Sequence, residues 1–242
     1  SILAIQKQQI LEYKEGMTVM IVDDIKNPLS TILGLSNNPI VKQAGQQMLT
    51  MVLNVLDVQK FENAEKKMHM RNHNLIKCVN KALLDIQILM ERKAMKLENL
   101  ISENIFIKAD YDIIIRVFDN ILTNAIKYTP NNGKITLLAE EDGDPDFIKI
   151  SISDTGEGIP SDMLHKVFDK FSQFEARKAG SVRSTGLGLS FCKLAIEAHG
   201  GKIDVESEEG AGTTFWFLIP KAQGVENELI EEDKLIESNL SD

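Results

Sequence analysis

The sequence has few cysteines and no long hydrophobic segment, and these absences exclude several classes of protein. Its 242 residues include only Cys78 and Cys192, too few and too far apart for a disulfide framework or a cysteine-ligated zinc site. No apolar run approaches the roughly 18 residues that a membrane-spanning helix needs, and no signal-peptide pattern opens the chain. We therefore expect a cytoplasmic protein with both thiols reduced and buried or half-buried.

Basic residues are scarce relative to acidic ones. Lysine and arginine number 27 against 36 aspartate and glutamate residues, which gives a formal net charge of −9. Because non-specific nucleic-acid binding requires a basic surface, this balance argues against nucleic acid as a partner. The apolar content of 43% is that of an ordinary globular protein, so we expect one large or two modest domains.

The chain begins with Ser1, inside a helical pattern. Leu3, Ile10 and Met17 recur every seven residues, which predicts a coiled-coil helix over residues 1–16. We expect this pattern to continue upstream. The sequence is therefore interpreted as part of a longer protein, with a sensor domain in the missing part and room there for a membrane anchor.

Residues 17–66 are predicted to form a helical hairpin. The first helix carries an apolar stripe and is kinked by Pro28, and the cluster at residues 36–39 reverses the chain. The second helix has two apolar rows, which consist of Val41, Ala44, Met48, Met51, Val55 and Val58, and of Leu49, Val52 and Leu56. Since one hairpin cannot bury both rows, we expect a homodimer that forms a four-helix bundle.

Two asparagines further along the chain mark a candidate phosphate site. Asp110 is expected to cap a helix in which Asn120 and Asn124, four residues apart, share one face. Lys127 and Tyr128 follow one turn later. Neutral amides leave room for a divalent cation and for phosphates without adding negative charge. The alternative is an ordinary solvated polar surface.

A predicted strand over residues 147–153 delivers Asp154 into a glycine turn. Its carboxylate could accept a hydrogen bond from the exocyclic amine of adenine. Gly156 and Gly158 would let the backbone approach the base closely. A simple tight turn is the alternative, although it would leave the following Ile159-Pro160 and the later glycines unexplained.

A second glycine pair, Gly186 and Gly188, precedes an apolar helix. Backbone N–H groups at a helix N-terminus are well placed for phosphate oxygens. Residues 172–185 before this helix are polar and basic, which is typical of a lid over phosphates, with Lys170, Lys178 or Arg183 as charge partners. An ordinary surface loop would have the same composition.

In this order, the segments resemble the ATP-binding domain of sensor histidine kinases, within the superfamily of gyrase-type and Hsp90-type ATPases. The resemblance implies an α/β sandwich over residues 67–220, with a mixed sheet and helices on one face. It implies that Asn124 binds Mg²⁺ and that Asp154 reads adenine. The other nucleotide-binding positions that it implies are Asn120, Lys127, Tyr128, Gly156, Gly158, Ile159, Lys170, Phe171, Arg183, Thr185, Gly186, Leu187, Gly188, Leu189 and Thr213.

Residues 20–29 resemble the phosphoacceptor box of the same family, with one departure. Asp24 and Asn27 match the acidic and polar residues that act beside the histidine, but Asp23 stands where the histidine belongs. An imidazole is a neutral nucleophile, whereas a carboxylate repels the γ-phosphate and would give an acyl phosphate. We therefore predict no histidine autophosphorylation at residue 23. Natural degeneration and an engineered replacement both fit this change.

Together these resemblances predict the transmitter of a two-component sensor histidine kinase, which binds Mg-ATP and has a response-regulator receiver domain as its partner. The alternatives are an ATP-binding pseudokinase scaffold or a receiver phosphatase. A chaperone or topoisomerase-type ATPase is disfavoured because it has no use for the box at residues 20–29. Residues 221–242 are acidic and are interpreted as a linker or a helical tail, with room for a receiver domain after it.

Overall fold

The structure is a computed structural model that describes residues 25, 28–36, 38–62, 67–141, 143–170 and 187–222. The chain divides into two compact units. The hairpin unit comprises residues 1–67 and 166–194, and the sheet unit comprises residues 68–165 and 195–242. The predicted coiled coil and the phosphoacceptor positions Asp23, Asp24 and Asn27 lie outside the described residues.

Two helices form the described part of the hairpin. Helix α1 is described over residues 28–35, and α2 spans Pro39–Glu62. Leu29 of α1 is buried, and a Cβ atom added to the buried Gly45 of α2 would lie only 2.7 Å from Cδ2 of Leu33. Because glycine has no side chain, the two helices approach closely at this point.

The hairpin unit buries only some of its described apolar side chains. Leu56 and Val58 of α2 are buried. In contrast, Ile32 is 50% exposed, Leu35 80% and Met48 52%. These apolar side chains face solvent in the single chain.

The sheet unit contains most of the regular structure. Along the chain, β1 (Arg71–Asn74), α3 (Leu75–Arg92), β2 (Lys96–Asn99), β3 (Phe106–Ala109), α4 (Tyr111–Tyr128), β4 (Lys134–Glu141) and β5 (Phe147–Asp154) come first. A short 3-10 helix at Leu164–Lys166 and α5 (Gly188–Ala198) follow, and β6 (Ile203–Glu208) and β7 (Gly212–Pro220) end the described part. Helix α5 runs from the hairpin unit into the sheet unit.

Five strands form one mixed sheet in the order β2-β4-β5-β7-β6. Strands β2 and β4 are parallel, and the other neighbours are antiparallel. Strands β1 and β3 form a separate antiparallel pair. Alternating residues at 134–139 and 147–153 predict an antiparallel hairpin, which β4 and β5 form. The mixed character of the sheet is also confirmed.

The core lies between α4 and the sheet. Apolar residues at helical spacing predict the buried face of α4, and this is confirmed, since Ile113, Val117, Ile121, Leu122 and Ala125 are all buried. The ring of Phe118 meets that of Phe217 on β7 edge-on, with centroids 5.6 Å apart. Residues alternate along β7, so that every second side chain points into this core.

Two local elements differ in extent from what the sequence predicts. The sequence predicts a short strand over residues 67–72, but β1 begins at Arg71, because the His69 N–H is donated to the Asp110 carboxylate, 2.9 Å away, rather than to a neighbouring strand. It also predicts a short helix from Met163, Leu164, Val167 and Phe168, where the structure has a single 3-10 turn at Leu164–Lys166.

The chemical expectations for the cysteines are confirmed. Cys78 and Cys192 are both buried thiols without a disulfide, and burial raises the pKa of Cys78 to about 11. In the described ranges, none of the helices is both long enough and apolar enough to span a bilayer.

Candidate functional site

The site is built around the C-terminal half of α4. Asp110 caps the helix, because its carboxylate accepts the N–H of Ile113 at 3.3 Å. Asn120 and Asn124 are half-buried and face the same side, four residues apart. The Asn120 side-chain amide donates to the Arg116 carbonyl oxygen at 2.8 Å, which fixes the orientation of that amide.

A positive charge is held at the end of this helix. Nζ of Lys127 lies 3.2 Å from the Tyr128 hydroxyl oxygen and 4.8 Å from the centroid of the Tyr128 ring. The carbonyl end of a helix favours cations. A phosphate that reached this point would therefore meet an ammonium group already oriented by the neighbouring ring.

Lys93 supports the same helix end, and the sequence analysis missed it. Its ammonium group donates to the carbonyl oxygens of Ile126, Lys127 and Thr129, at 2.6, 3.2 and 2.8 Å. These are carbonyls that a helix terminus leaves without a partner. Lys93 lies 34 positions from Lys127 along the chain, so no local sequence pattern could have indicated this contact.

Asp154 ends β5 and is half-buried. Burial raises the pKa of its carboxyl, whereas the N–H groups of Gly156 and Thr213 and the nearby Thr129 side chain act to lower it. The Gly156 N–H donates to Oδ1 at 2.8 Å. The buried Thr129 hydroxyl has no hydrogen bond of good geometry. An oriented carboxylate therefore lies beside a polar atom that could still take a partner.

The glycine turn after Asp154 is bonded to the end of α4. The Glu157 N–H donates to the Tyr128 carbonyl oxygen at 3.3 Å. A Cβ atom on Gly156 would lie 2.8 Å from that same oxygen and 2.6 Å from Oδ1 of Asp154. Only glycine allows this close approach. The turn and the helix end are therefore fixed to one another.

The second half of the turn, Gly158 and Ile159, contacts β6, which is hydrogen-bonded to the start of β7. Gly158 has a φ of +70°, and a Cβ atom there would collide with the Glu208 carbonyl oxygen. The Ile159 N–H donates to the Ser207 hydroxyl at 2.8 Å, and that hydroxyl donates to the Gly212 carbonyl oxygen at 2.7 Å. Ser207 is a second supporting residue that the sequence analysis did not identify.

The structure thus places nine predicted site residues in the sheet unit, around one helix end and one turn. They are Asn120, Asn124, Lys127, Tyr128, Asp154, Gly156, Gly158, Ile159 and Thr213. The predicted residues Lys170, Leu187, Gly188 and Leu189 belong to the hairpin unit. Phe171, Arg183, Thr185 and Gly186 lie outside the described residues.

Leu187, Gly188 and Leu189 form the start of α5. Leu187 is buried, and its carbonyl oxygen accepts both the Phe191 N–H at 2.9 Å and the Ser190 hydroxyl at 3.0 Å. Gly188 was expected to precede this helix, but it is the first helical residue.

No built-in metal centre accompanies these groups in the described part of the chain. No three His, Cys, Asp or Glu side chains there are grouped so that they could hold an ion. Magnesium is commonly held by one or two protein ligands together with substrate phosphates. The amide oxygen of Asn124 suits such a shared site.

The class of protein follows from this fold and site. Residues 109–223 match the model of the histidine kinase-, DNA gyrase B- and HSP90-like ATPase family. The catalytic domain of the histidine kinase ThkA is 30% identical, with a TM-score of 0.55, and the match covers 64% of this chain and 97% of that domain. The chain therefore belongs to this ATPase family, in its histidine kinase branch, and contains its ATP-binding domain.

Other relatives extend the likeness beyond that domain. The sensor histidine kinase WalK of Bacillus subtilis is 29% identical over 189 residues, which are 78% of this chain and 31% of WalK. Full-length ShkA, solved with AMPPNP, has a TM-score of 0.70 over 86% of this chain and 46% of its own; at 23% identity this likeness shows the fold alone. ThkA was also solved with the response regulator TrrA, at 25% identity and a TM-score of 0.53 over 89% of this chain and 64% of that one.

Proposed function

We propose that the chain is the transmitter region of a two-component sensor histidine kinase, and that its sheet unit binds Mg-ATP between α4 and the turn after β5. The observation that carries this proposal is the hydrogen bond from Glu157 to the Tyr128 carbonyl oxygen. It joins a half-buried, oriented carboxylate to the helix end that carries two amides and an ammonium group.

Each group has a role in this proposal. Asp154 accepts from the exocyclic amine of adenine, Asn124 supplies an oxygen to Mg²⁺, and Lys127 neutralises phosphate charge. Phosphoryl transfer requires mainly positioning and charge neutralisation, which these groups supply.

The hairpin unit is proposed to form a homodimer through a four-helix bundle. The exposed Ile32, Leu35 and Met48 support this, because burial of such side chains against a second copy is favourable. A receiver domain of a response regulator is the proposed protein partner, by analogy with the ThkA–TrrA complex. The proposed localisation is cytoplasmic, within a longer protein.

Asp23 is the proposed phosphoacceptor position, flanked by Asp24 and Asn27. With a carboxylate there, histidine autophosphorylation is disabled. The same residue favours a second candidate, an ATP-binding scaffold or receiver phosphatase that transfers nothing from ATP, since Asp24 and Asn27 are retained without the histidine.

Phosphate incorporation from γ-labelled ATP tests the proposal. The chain as given is compared with Asp23→His and with the matched control Asp23→Asn, and ATP binding is measured for all three. We expect ATP binding in all three variants and incorporation only in Asp23→His.

Other outcomes change the assignment. Bound ATP without incorporation in Asp23→His would select the scaffold or phosphatase. Strong incorporation into the chain as given, lost in Asp23→Asn, would make Asp23 an active acceptor. Absence of ATP binding in every variant would contradict the nucleotide site itself.

A further inference from the structure

The loop that follows α4 (the α4–β4 loop, residues 129–133) is held by a single residue at the end of α3. The ammonium group of Lys93, which also caps the last turn of α4, donates to the Thr129 carbonyl oxygen at 2.8 Å. The main-chain carbonyl oxygen of Lys93 accepts the Asn132 N–H at 2.9 Å. Lys93 therefore fixes both the beginning and the end of the α4–β4 loop.

Two residues at this junction have a backbone conformation that side chains rarely adopt. Ala94, directly after Lys93, has a φ of +49°, and Asn132 has a φ of +64°. Residues other than glycine are uncommon in this left-handed region, and they persist there only where the surrounding structure determines their conformation. The two contacts of Lys93 supply that constraint on both sides of the junction.

The side chain of Thr129 has a fixed orientation within this loop. Thr129 is only 1% exposed, and its N–H donates to the Ala125 carbonyl oxygen at 3.0 Å. A Cβ atom added to Gly133 would collide with Cγ2 of Thr129, so the threonine methyl group occupies the space that glycine leaves free. Because threonine is branched at Cβ, placing the methyl group also determines where the hydroxyl lies.

The Thr129 hydroxyl lies beside the carboxyl group of Asp154. Burial raises the pKa of Asp154, whereas the N–H groups of Gly156 and Thr213 and the Thr129 side chain act to lower it. A group that lowers the pKa of a carboxyl in this way donates to its charged form. The Thr129 oxygen is wholly buried and has no hydrogen bond of good geometry in the described part of the chain. The carboxylate is therefore the group that this hydroxyl serves.

We propose that Lys93 and Thr129 are positioning residues for the recognition of adenine. Lys93 holds the main chain of Thr129, and the Thr129 hydroxyl holds the Asp154 carboxylate in the orientation that accepts from the exocyclic amine. Neither residue touches the nucleotide. Their role rests on the proposed ATP site and adds the residues that determine how strongly this site prefers a base with that amine. A carboxylate supported from behind keeps its accepting direction.

Binding of two nucleotides to the full chain tests this role. Mg-ATP is compared with the magnesium complex of purine riboside triphosphate, which is ATP without the exocyclic amine. In the parent chain we expect ATP to bind roughly 10- to 100-fold more tightly, the range for a hydrogen bond to a charged group. A loss of folded protein lowers both affinities by the same factor, so the ratio of the two affinities does not respond to stability.

Two substitutions should reduce this ratio. Lys93→Met retains most of the side-chain length and removes its donors, and Thr129→Val replaces the hydroxyl with a methyl group of similar size. Each should lower the ratio roughly 3- to 10-fold, which corresponds to one neutral hydrogen bond, by weakening the binding of ATP. Lys93→Arg retains N–H donors and a positive charge, so its ratio should stay within about twofold of the parent value.

Matched controls are available in the same unit. Lys96 is exposed three residues after Lys93, and the half-buried Thr136 donates to the exposed Glu98 at 3.5 Å. Lys96→Met and Thr136→Val should leave the ratio unchanged. Thr129→Val should also have no further effect on the ratio when it is added to Asp154→Asn, because two residues that act through one group are not additive.

The outcomes separate this role from the ATP site itself. A parent-like ratio in both Lys93→Met and Thr129→Val, even with a lower affinity for both nucleotides, would make the two residues structural only and overturn the proposal. An equally reduced ratio in the two controls would overturn it as well. A parent chain that binds neither nucleotide, or both equally, would instead contradict the proposed adenine site on which the role depends.

Discussion

The two units of this chain differ in how completely they bury their own apolar side chains. In the sheet unit, large residues such as Phe118, Phe217 and Ile114 are fully buried. In the hairpin unit, Ile32 and Met48 remain about half exposed. The sheet unit therefore contains its own core, whereas the described part of the hairpin unit leaves large apolar side chains exposed. Stability and nucleotide binding should respond to changes in the first, and assembly to changes in the second.

Glycines show the same contrast. Gly158 in the sheet unit has a positive φ and faces the Glu208 backbone, so no other residue fits without strain. Gly34 in α1 has nothing within 4 Å of the position that a Cβ atom would take. A glycine inside a helix only adds conformational entropy to the unfolded chain.

Gly158→Ala is expected to have the largest effect. The added methyl group meets a backbone oxygen that cannot move independently, so the free energy of unfolding should fall by about 2–4 kcal/mol and ATP affinity should be lost. Urea unfolding and ATP binding measure both effects.

The matched control is Gly34→Ala, which should raise stability by about 0.5–1 kcal/mol and leave ATP binding unchanged. A similar loss in both variants would contradict the contrast between the units, and so would full tolerance of Gly158→Ala.

Asp154→Asn should lower ATP affinity without changing the stability of the sheet unit. The amide keeps the shape of the side chain and can still accept from Gly156, but it loses the charge that suits the adenine amine. We expect ATP affinity to fall roughly 10- to 100-fold, the range for a hydrogen bond to a charged group, with an unchanged urea midpoint. Glu157→Gln removes an exposed neighbouring carboxylate and should bind ATP normally. Unchanged affinity in Asp154→Asn would contradict the adenine assignment.

The sequence predicted the sheet unit well because its patterns are local. The buried face of α4 follows from apolar spacing, the cap from Asp110, and the hairpin of β4 and β5 from alternation around a polar turn. The start of β1 was misplaced because it depends on a distant partner, the carboxylate of Asp110, which takes the His69 N–H.

The same distinction holds for the site. Asn120, Lys127, Asp154 and the glycines could be predicted because they form short motifs. Lys93 and Ser207 could not, because their partners lie far along the chain and become neighbours only in the fold. Both donate to backbone oxygens, and any lysine or serine has that chemistry. Nothing in their sequence surroundings distinguishes them.

Ile32→Ala should weaken assembly without affecting the sheet unit. Its side chain is 50% exposed, and its loss from a dimer interface should cost about 1–2 kcal/mol, or roughly a tenfold rise in the dimer dissociation constant. Analytical ultracentrifugation measures the constant, and ATP binding should stay unchanged. Ser30→Ala, at an exposed position on another side of α1, should leave dimerisation unaltered. A monomeric parent chain would contradict the proposed bundle.

A decrease in pH should have the smallest effect of these changes. It should act on the sheet unit, because all four histidines lie there. His199 is buried, and its Nε2 accepts the Asp110 N–H at 3.0 Å while Nδ1 lies 2.7 Å from the Ala195 carbonyl oxygen. Nδ1 must therefore carry the proton of a neutral ring. Burial lowers the pKa of His199, against the opposing effects of the Ala195 carbonyl and the Asp110 charge.

The sign of the pH dependence follows from that shift. Below about pH 6.5 the unfolded chain binds a proton that folded His199 resists, so stability is full above this pH and falls as the pH decreases towards the lowered folded-state pKa. One proton changes the free energy of unfolding by at most about 1.4 kcal/mol per pH unit. Urea unfolding between pH 7.5 and 5.5 should show this slope, and His199→Gln should flatten it. His165→Gln, at an exposed position, should retain it. An equal slope in His199→Gln would assign the acid sensitivity to His73, whose pKa burial also lowers.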